Sequence, residues 1–532
     1  MPNGDMTTDV LIIGSGPVGA TFARLLVETG RKVIMIDAGK QLSNRPGEHL
    51  RNSFRYQQEP NMFTDTIMSQ LEQYSVPAGM FFRPNAPVRN NHENPKQKWW
   101  RNMPAASAVY AVGGMGTLWT ASTPDPAPFE RASFISDEDW TNMLELAKSL
   151  LKVSDKLFDD SVLGTVVYER YMKKGISVVH LQQAAEKVPT NDPRITFYRW
   201  TGADTILGPL LDDPKYQSNF QFLVEHRAET LNRSDNPHQV SSATVTDLRT
   251  LTHFDIYADT FIVACGPFLT PSLLWKSEIC PPALYPALGH HLNDNLEISC
   301  HVDINSEIMQ EMKKIRGEPP DSVKMPISHH DPGPALGTTP TPDKPWHGQI
   351  HRLARQFIYM PGEDVRSQVH FTWYGTVDIN YDNCIRWDGE THNRFGMPQI
   401  TIDFRYSPQD LLRAMRMWLD LVKTARVIGR IHGIPMLSPP GSTLHLQGTY
   451  RMGQDGPNRT KESVTDPFSK VWDMENLYLG GLGIIPNSMA SNPTLTAVAL
   501  AVRAIAKMTD RTLQELVQNF EKISATPAQN ED

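Results

Sequence analysis

Cysteine is scarce in this sequence: 532 residues hold four, Cys265, Cys280, Cys300 and Cys384. None stands at Cys-x-x-Cys spacing, so neither a disulfide framework nor a zinc site is on offer, and reduced, mostly buried thiols are expected. Long blocks of one charge sign are missing too. Lys and Arg total 51 against 59 Asp and Glu, a net charge of −8, and this even mixture argues against a nucleic-acid partner. No apolar run approaches the ~18 residues of a membrane span, and the opening MPNGDMTTDV lacks a basic and then apolar leader pattern. The expectation is a cytoplasmic protein without a membrane partner. The pairs His290-His291 and His329-His330 have no carboxylate or cysteine beside them at ligand spacing, so they are read as loop residues and no metal is expected. Apolar residues at 40% and charged residues at 21% describe a globular chain, and its length implies two domains.

From Asp9 to Ala38 the pattern is strand, glycine turn, helix, strand. GSGPVGA places Gly14, Gly16 and Gly19 at the spacing that a dinucleotide pyrophosphate needs: a tight turn, close approach of phosphate to backbone, and close packing of helix on strand. The helix N-terminus then presents free N–H groups to the negative charge. Asp37 ends the second strand, eighteen residues after Gly19, where a ribose hydroxyl needs an acceptor. This unit alone does not choose between NAD and FAD.

Further along, residues 137–158 read as a helix, and Trp99-Trp100 as packing. FQFLVE, SATVTDLRT, HFDIYA and TFIVACG read as short strands of a sheet lying against the nucleotide domain, with a helix opening at PSLL. Gly317 to Pro345 reads as a long loop. SQVHFTWYGTV and PQITIDFRYS are strands, and a helix from Pro408 to about Ile431 is stopped by Gly433. The last helix begins at Asn492-Pro493, with Asn492 as N-cap and Pro493 first in the helix. A helix end there, aimed at a flavin pyrimidine ring, would stabilise its reduced anion. VGGMGTLWT is a second glycine-rich loop. His445, in the strand-like STLHLQGTYRMG, carries an imidazole suited to taking a hydroxyl proton while hydride leaves the same carbon.

GSGPVGA with Asp37, VGGMGTLWTAST, FIVACGPFLTPSLL, MPQITIDFRYS, LHLQGTYRMG and NLYLGGLGIIPNSMASNPTLTA together resemble the pyranose oxidase branch of the glucose-methanol-choline (GMC) oxidoreductase family. The resemblance extends to bacterial C-glycoside 3-oxidases. It implies an α/β fold with a Rossmann-like FAD-binding domain and a second α+β substrate-binding domain on a mixed or antiparallel sheet. The FAD-binding domain would take about 1–130, 215–300 and 435–520, and the substrate-binding domain about 131–214 and 301–434. It further implies an FAD-dependent oxidation of a secondary ring hydroxyl, C2 or C3, of a monosaccharide or glycoside, with O₂ or a quinone as acceptor. His445 and Asn492 would be the catalytic pair facing the flavin. Gly113, Gly114, Thr117, Thr120, Ala264, Gly266, Gly481 and Thr494 would join the first glycine motif and Asp37 in holding FAD, and Thr443 and Gln447 would touch substrate. Fungal members carry a histidine that attaches covalently to the flavin where this chain has Leu118, so noncovalent FAD is expected. Another departure is Tyr450, where the fungal motif has histidine. The chain is shorter than the fungal enzymes, so their tetramer does not carry over and the oligomeric state stays open. Two other readings stand beside this one: an alcohol or sterol oxidase or dehydrogenase of the same family, and a flavin-bearing binding protein without activity.

Overall fold

The computed structural model describes residues 4–58, 60–77, 89–90, 93–191, 196–328, 330–352, 364–393 and 395–525. His329 lies outside them. Strand β1 (Met6–Ile13) runs through the turn into helix α1 (Pro17–Glu28) and returns as β2 (Val33–Asp37). β2 and the second half of β1 are apolar, as befits strands covered on both faces, and the two pair in parallel with Val10 opposite Val33. Helix α2 (Asp137–Leu151) follows. It ends at Leu151, capped by Lys152 in left-handed backbone, seven residues short of the predicted end.

The segment 220–263 extends this sheet rather than lying against it. β3 (Phe220–Val224) joins the free edge of β2. β4 (His226–Arg233), β5 (Val240–Asp247) and β6 (Thr252–Val263) form an antiparallel meander, and β6 pairs in parallel with β1. HFDIYA and TFIVACG are therefore one strand of 12 residues, not two. Helix α3 (Gly266–Lys276) starts five residues before PSLL, with Pro267 in its first turn, where a missing N–H costs nothing.

A second sheet is built from β7 (Leu296–Ile304), β8 (Ala335–Thr338), β9 (Trp346–His351) and β10 (Gln368–Gly375), in the order β7-β10-β9-β8 and antiparallel throughout. β8 falls inside the stretch read as a loop; the pairing of Leu336 with Ile350 supplies what so short a segment lacks by itself. Alternation gives this sheet two different faces. Ile298, Val302, Ile350, Val369, Phe371 and Trp373 pack into a core that also takes Met417 and Leu421 of helix α4 (Pro408–Ala425). The other face carries three polar rows in register: His351, His370 and His301; Gln349, Thr372 and Ser299; His347, Tyr374 and Glu297. α4 stops at Ala425, because Gly429–Ile431 leaves it to pair with β7, so Gly433 is not its terminator.

The chain then returns to the first sheet, where β11 (Leu477–Leu479) lies parallel to β6. Helix α5 (Thr494–Met508) packs on α1 and α2. It is not the last helix; Leu513–Ala525 forms another, opened by reciprocal bonds between Thr512 and Glu515. Trp99 and Trp100 are exposed, at 62% and 59%, and pack edge-on against each other rather than into a core.

Candidate active site

Where β1 meets α1 the backbone closes on itself. Gly14 sits at φ 105°, and a Cβ there would meet the Ala264 carbonyl at 2.5 Å; one on Gly19 would meet the Gly14 carbonyl at 1.9 Å. Only hydrogen fits at either place. Gly16 precedes α1 with no side chain capping the helix, so its first N–H groups are free for an anion. Asp37 locks the turn: one oxygen accepts from the Ser15 N–H (2.8 Å) and hydroxyl (2.6 Å), the other from the Gly39 N–H (2.6 Å). Burial raises the Asp37 carboxyl pKa, against the lowering pull of those bonds. The Ser15 hydroxyl also accepts from the Gly113 N–H at 2.8 Å, tying the second glycine loop, a 3-10 turn over Gly114–Thr117, to the first. The glycine turn and the free N–H groups of the α1 N-terminus fit a dinucleotide pyrophosphate.

One long cavity runs from this cradle. Its lining takes in Gly14, Gly16, Asp37, Gly114, Leu118, Thr120, Ala264, Gly266, Thr443, His445, Gly481, Asn492 and Thr494. Gly19, Gly113, Thr117 and Gln447 are not on it. Gly19 and Gly113 act in packing: a Cβ on Gly113 would meet Gly47 Cα at 2.9 Å. The Thr117 hydroxyl donates back to Gly114. Gln447 is buried, and its backbone exchanges two 2.9 Å hydrogen bonds with Asn293. Leu118 is also buried, in an apolar cluster with Leu50, Phe63, Ile67 and Leu71.

Two buried carboxylates shape the loops that carry His445 and Asn492. Asp294 accepts from the Gly441 N–H (2.9 Å), the Thr443 hydroxyl and the His445 N–H (3.2 Å). The turn so gathered puts Leu444 at φ 59°, an uncommon conformation for a side chain of that size. Burial pushes the Asp294 carboxyl up to about 6 despite these bonds. His445 lies in irregular backbone, not in a strand. Glu130 does the same on the other side, accepting from the Ser491 N–H (3.0 Å) and hydroxyl (2.8 Å) and from the Ala490 N–H. Asn492 is not a cap. Pro493 takes that position and no side chain closes α5, which leaves the Asn492 amide to face His445.

The two side chains meet: Asn492 Nδ2 lies 3.1 Å from His445 Nε2. On its far side His445 Nδ1 lies 2.9 Å from Asn295 Oδ1. The polar face of the second sheet borders the pair. The Tyr374 ring stands 5.3 Å from the imidazole, and Gln349 Nε2 donates to Asn492 Oδ1 at 2.6 Å. Burial, and then the neighbouring His347, depress the His445 pKa to about 3. The imidazole is therefore neutral across the ordinary pH range, with a lone pair beside an amide donor, which is the state a proton acceptor needs.

Sequence reasoning singled out His445 and Asn492, which the structure brings together, but not Glu130, Asp294, Asn295, His347 or Gln349 around them. For the last two a signal exists in WHGQIH, a strand whose outward residues are polar yet buried. No signal marks the others, since a lone acid or amide has no period.

The chain is similar to known proteins over nearly its whole length. Residues 7–53 match the FAD binding domain family and residues 380–501 the GMC oxidoreductase family. A pyranose 2-oxidase of Emericella nidulans is 33% identical, the match covering 93% of this chain and 91% of that protein. A C-glycoside 3-oxidase of Arthrobacter globiformis is 28% identical over 96% of each. Among solved structures, formate oxidase of Aspergillus oryzae superposes with a TM-score of 0.65 at 15% identity, covering 96% of this chain and 99% of that one.

Proposed function

This chain belongs to the GMC oxidoreductases, on the branch of the pyranose 2-oxidases and C-glycoside 3-oxidases, and on that premise we propose that it is an FAD-dependent sugar oxidase. Its reaction removes two hydrogens from a secondary ring hydroxyl, at C2 or C3, of a pyranose or its glycoside, giving a keto-sugar. O₂ is reduced to H₂O₂, or a quinone takes the electrons. The observation that carries this reading is the His445–Asn492 contact of 3.1 Å on the wall of the same cavity as the dinucleotide cradle.

FAD, when bound, supplies the two-electron acceptor. His445, neutral at the start, takes the hydroxyl proton at Nε2. Asn492 holds the same oxygen by its amide N–H and supports the charge that grows on it. Gly14, Gly16, Asp37, Gly114, Thr120, Ala264, Gly266, Gly481 and Thr494 would hold the cofactor, with Gly19, Gly113 and Thr117 keeping that cradle in shape. Thr443 lines the cavity with its hydroxyl hydrogen committed to Asp294, so it would not donate that hydrogen to the sugar. Glucose and a C-glucoside are expected to bleach the oxidised flavin anaerobically, and product NMR identifies the carbon attacked. Failure of both sugars, with success of a non-sugar alcohol, would overturn the reading.

The cofactor is held without a covalent bond, because Leu118 has no nucleophilic atom and lies 2% exposed on the cavity wall. Acid precipitation is expected to leave the yellow colour in the supernatant. A yellow pellet would contradict it.

A further inference from the structure

Five side chains, the pair among them, form a hydrogen-bonded chain that can be filled with protons in one direction. At one end His347 Nδ1 faces the Thr338 carbonyl at 2.9 Å, so Nδ1 carries hydrogen and Nε2 is bare. Gln349 Nε2 lies 3.2 Å from that bare nitrogen, 3.0 Å from Ser122 Oγ and 2.6 Å from Asn492 Oδ1. Its two hydrogens serve Asn492 and one of the other two. Asn492 then turns its Nδ2 to His445 Nε2.

At the other end Asn295 faces two backbone carbonyls, Gly375 at 3.3 Å and Met489. Carbonyls only accept, so the Asn295 amide nitrogen must point at them and its oxygen at His445 Nδ1. That oxygen in turn requires a hydrogen on Nδ1. Reversing Gln349 and Asn492 would put a hydrogen on Nε2 and leave a bare Nδ1 against the Asn295 oxygen, a contact with no hydrogen in it. The two ends were fixed by different carbonyls and agree.

We infer that Asn295 is a positioning residue: it keeps His445 as the Nδ1–H tautomer, with the Nε2 lone pair turned to the substrate hydroxyl. Asn295 is 2% exposed and absent from the cavity wall, so it acts through His445 and not on the sugar. Being a neutral acceptor, it also differs from a carboxylate partner, which would raise the basicity of the imidazole and hold it protonated.

This inference rests on His445 being the base, and the test separates the two. In holoprotein labelled with ¹⁵N-imidazole histidine, and assigned by difference with His445→Ala, the His445 signals are expected to show a protonated Nδ1 and a bare Nε2 at neutral pH. A protonated Nε2 would overturn the inference without any variant of Asn295. Asn295→Leu keeps the bulk and removes the acceptor. Its limiting rate of anaerobic flavin bleaching by sugar is expected to fall roughly ten- to a hundredfold, with the half-saturating sugar concentration within about threefold of the parent. If His445→Ala is slow while Asn295→Leu bleaches like the parent, the positioning role fails and the base stands; if His445→Ala itself bleaches like the parent, both fail.

Discussion

His445→Ala is expected to give a folded yellow protein whose flavin is reduced by sugar about 10²- to 10⁴-fold more slowly than in the parent, the span that a positioned general base contributes. The structure predicts where this loss appears. His445 is enclosed by Asn295, Asn492 and Tyr374, and none of the bonds it makes supports the glycine cradle. FAD content should therefore hold while the limiting rate of bleaching falls. Some thermal stability goes too, since Asn295 Oδ1 and Asn492 Nδ2 lose a partner, at about 1–3 kcal/mol for each buried group left unpaired. Anaerobic stopped flow against sugar concentration checks the rate. Because burial holds the His445 pKa down to about 3, the parent rate should show no acid limb from this group between about pH 8 and 5, and parental bleaching by the alanine variant would remove His445 from the mechanism.

Gly19→Ala should produce colourless protein. A methyl at that position would sit 1.9 Å from the Gly14 carbonyl, and neither atom belongs to a flexible side chain, so α1 must lift from β1. The pyrophosphate cradle and the N-terminus of α1 then no longer meet. Gly16→Ala is the informative companion, because among the described residues a Cβ there meets nothing nearer than the Gly113 carbonyl at 4.0 Å. It should melt like the parent and lose flavin only by crowding the phosphate. The ratio of flavin to protein absorbance, with melting curves for both variants, separates these effects. Parental flavin content in Gly19→Ala would show that the cradle does not work by close packing.

Much of the fold was legible where a short period repeats. β1, α1 and β2 announce themselves through apolar strands and the spacing of three glycines, and α4 through its amphipathic face. β4 was missed because HRAETLNR is a polar edge strand, with its bonds supplied by β5. The helix after α5 was missed although Thr512 and Glu515 stand at capping-box spacing. The candidate site divides the same way. His445 and Asn492 became visible through motifs that resemble a family. Asp294 and Glu130, which shape their loops, act across 151 and 361 residues of chain, and no local pattern encodes a partner so distant. Asn492 shows the cost of local reasoning: beside proline it looks like a cap, yet its amide is spent on His445 and Gln349.

The place of β6 between β1 and β11 bears on how the protein is made. At about 5–20 residues per second on the ribosome, β1 is finished roughly ten to fifty seconds before the strand that covers its second edge. β11 comes from still nearer the C-terminus. Until then the nascent chain exposes an apolar strand with one open edge, an invitation to mispairing that chaperone binding or slow translation would have to guard.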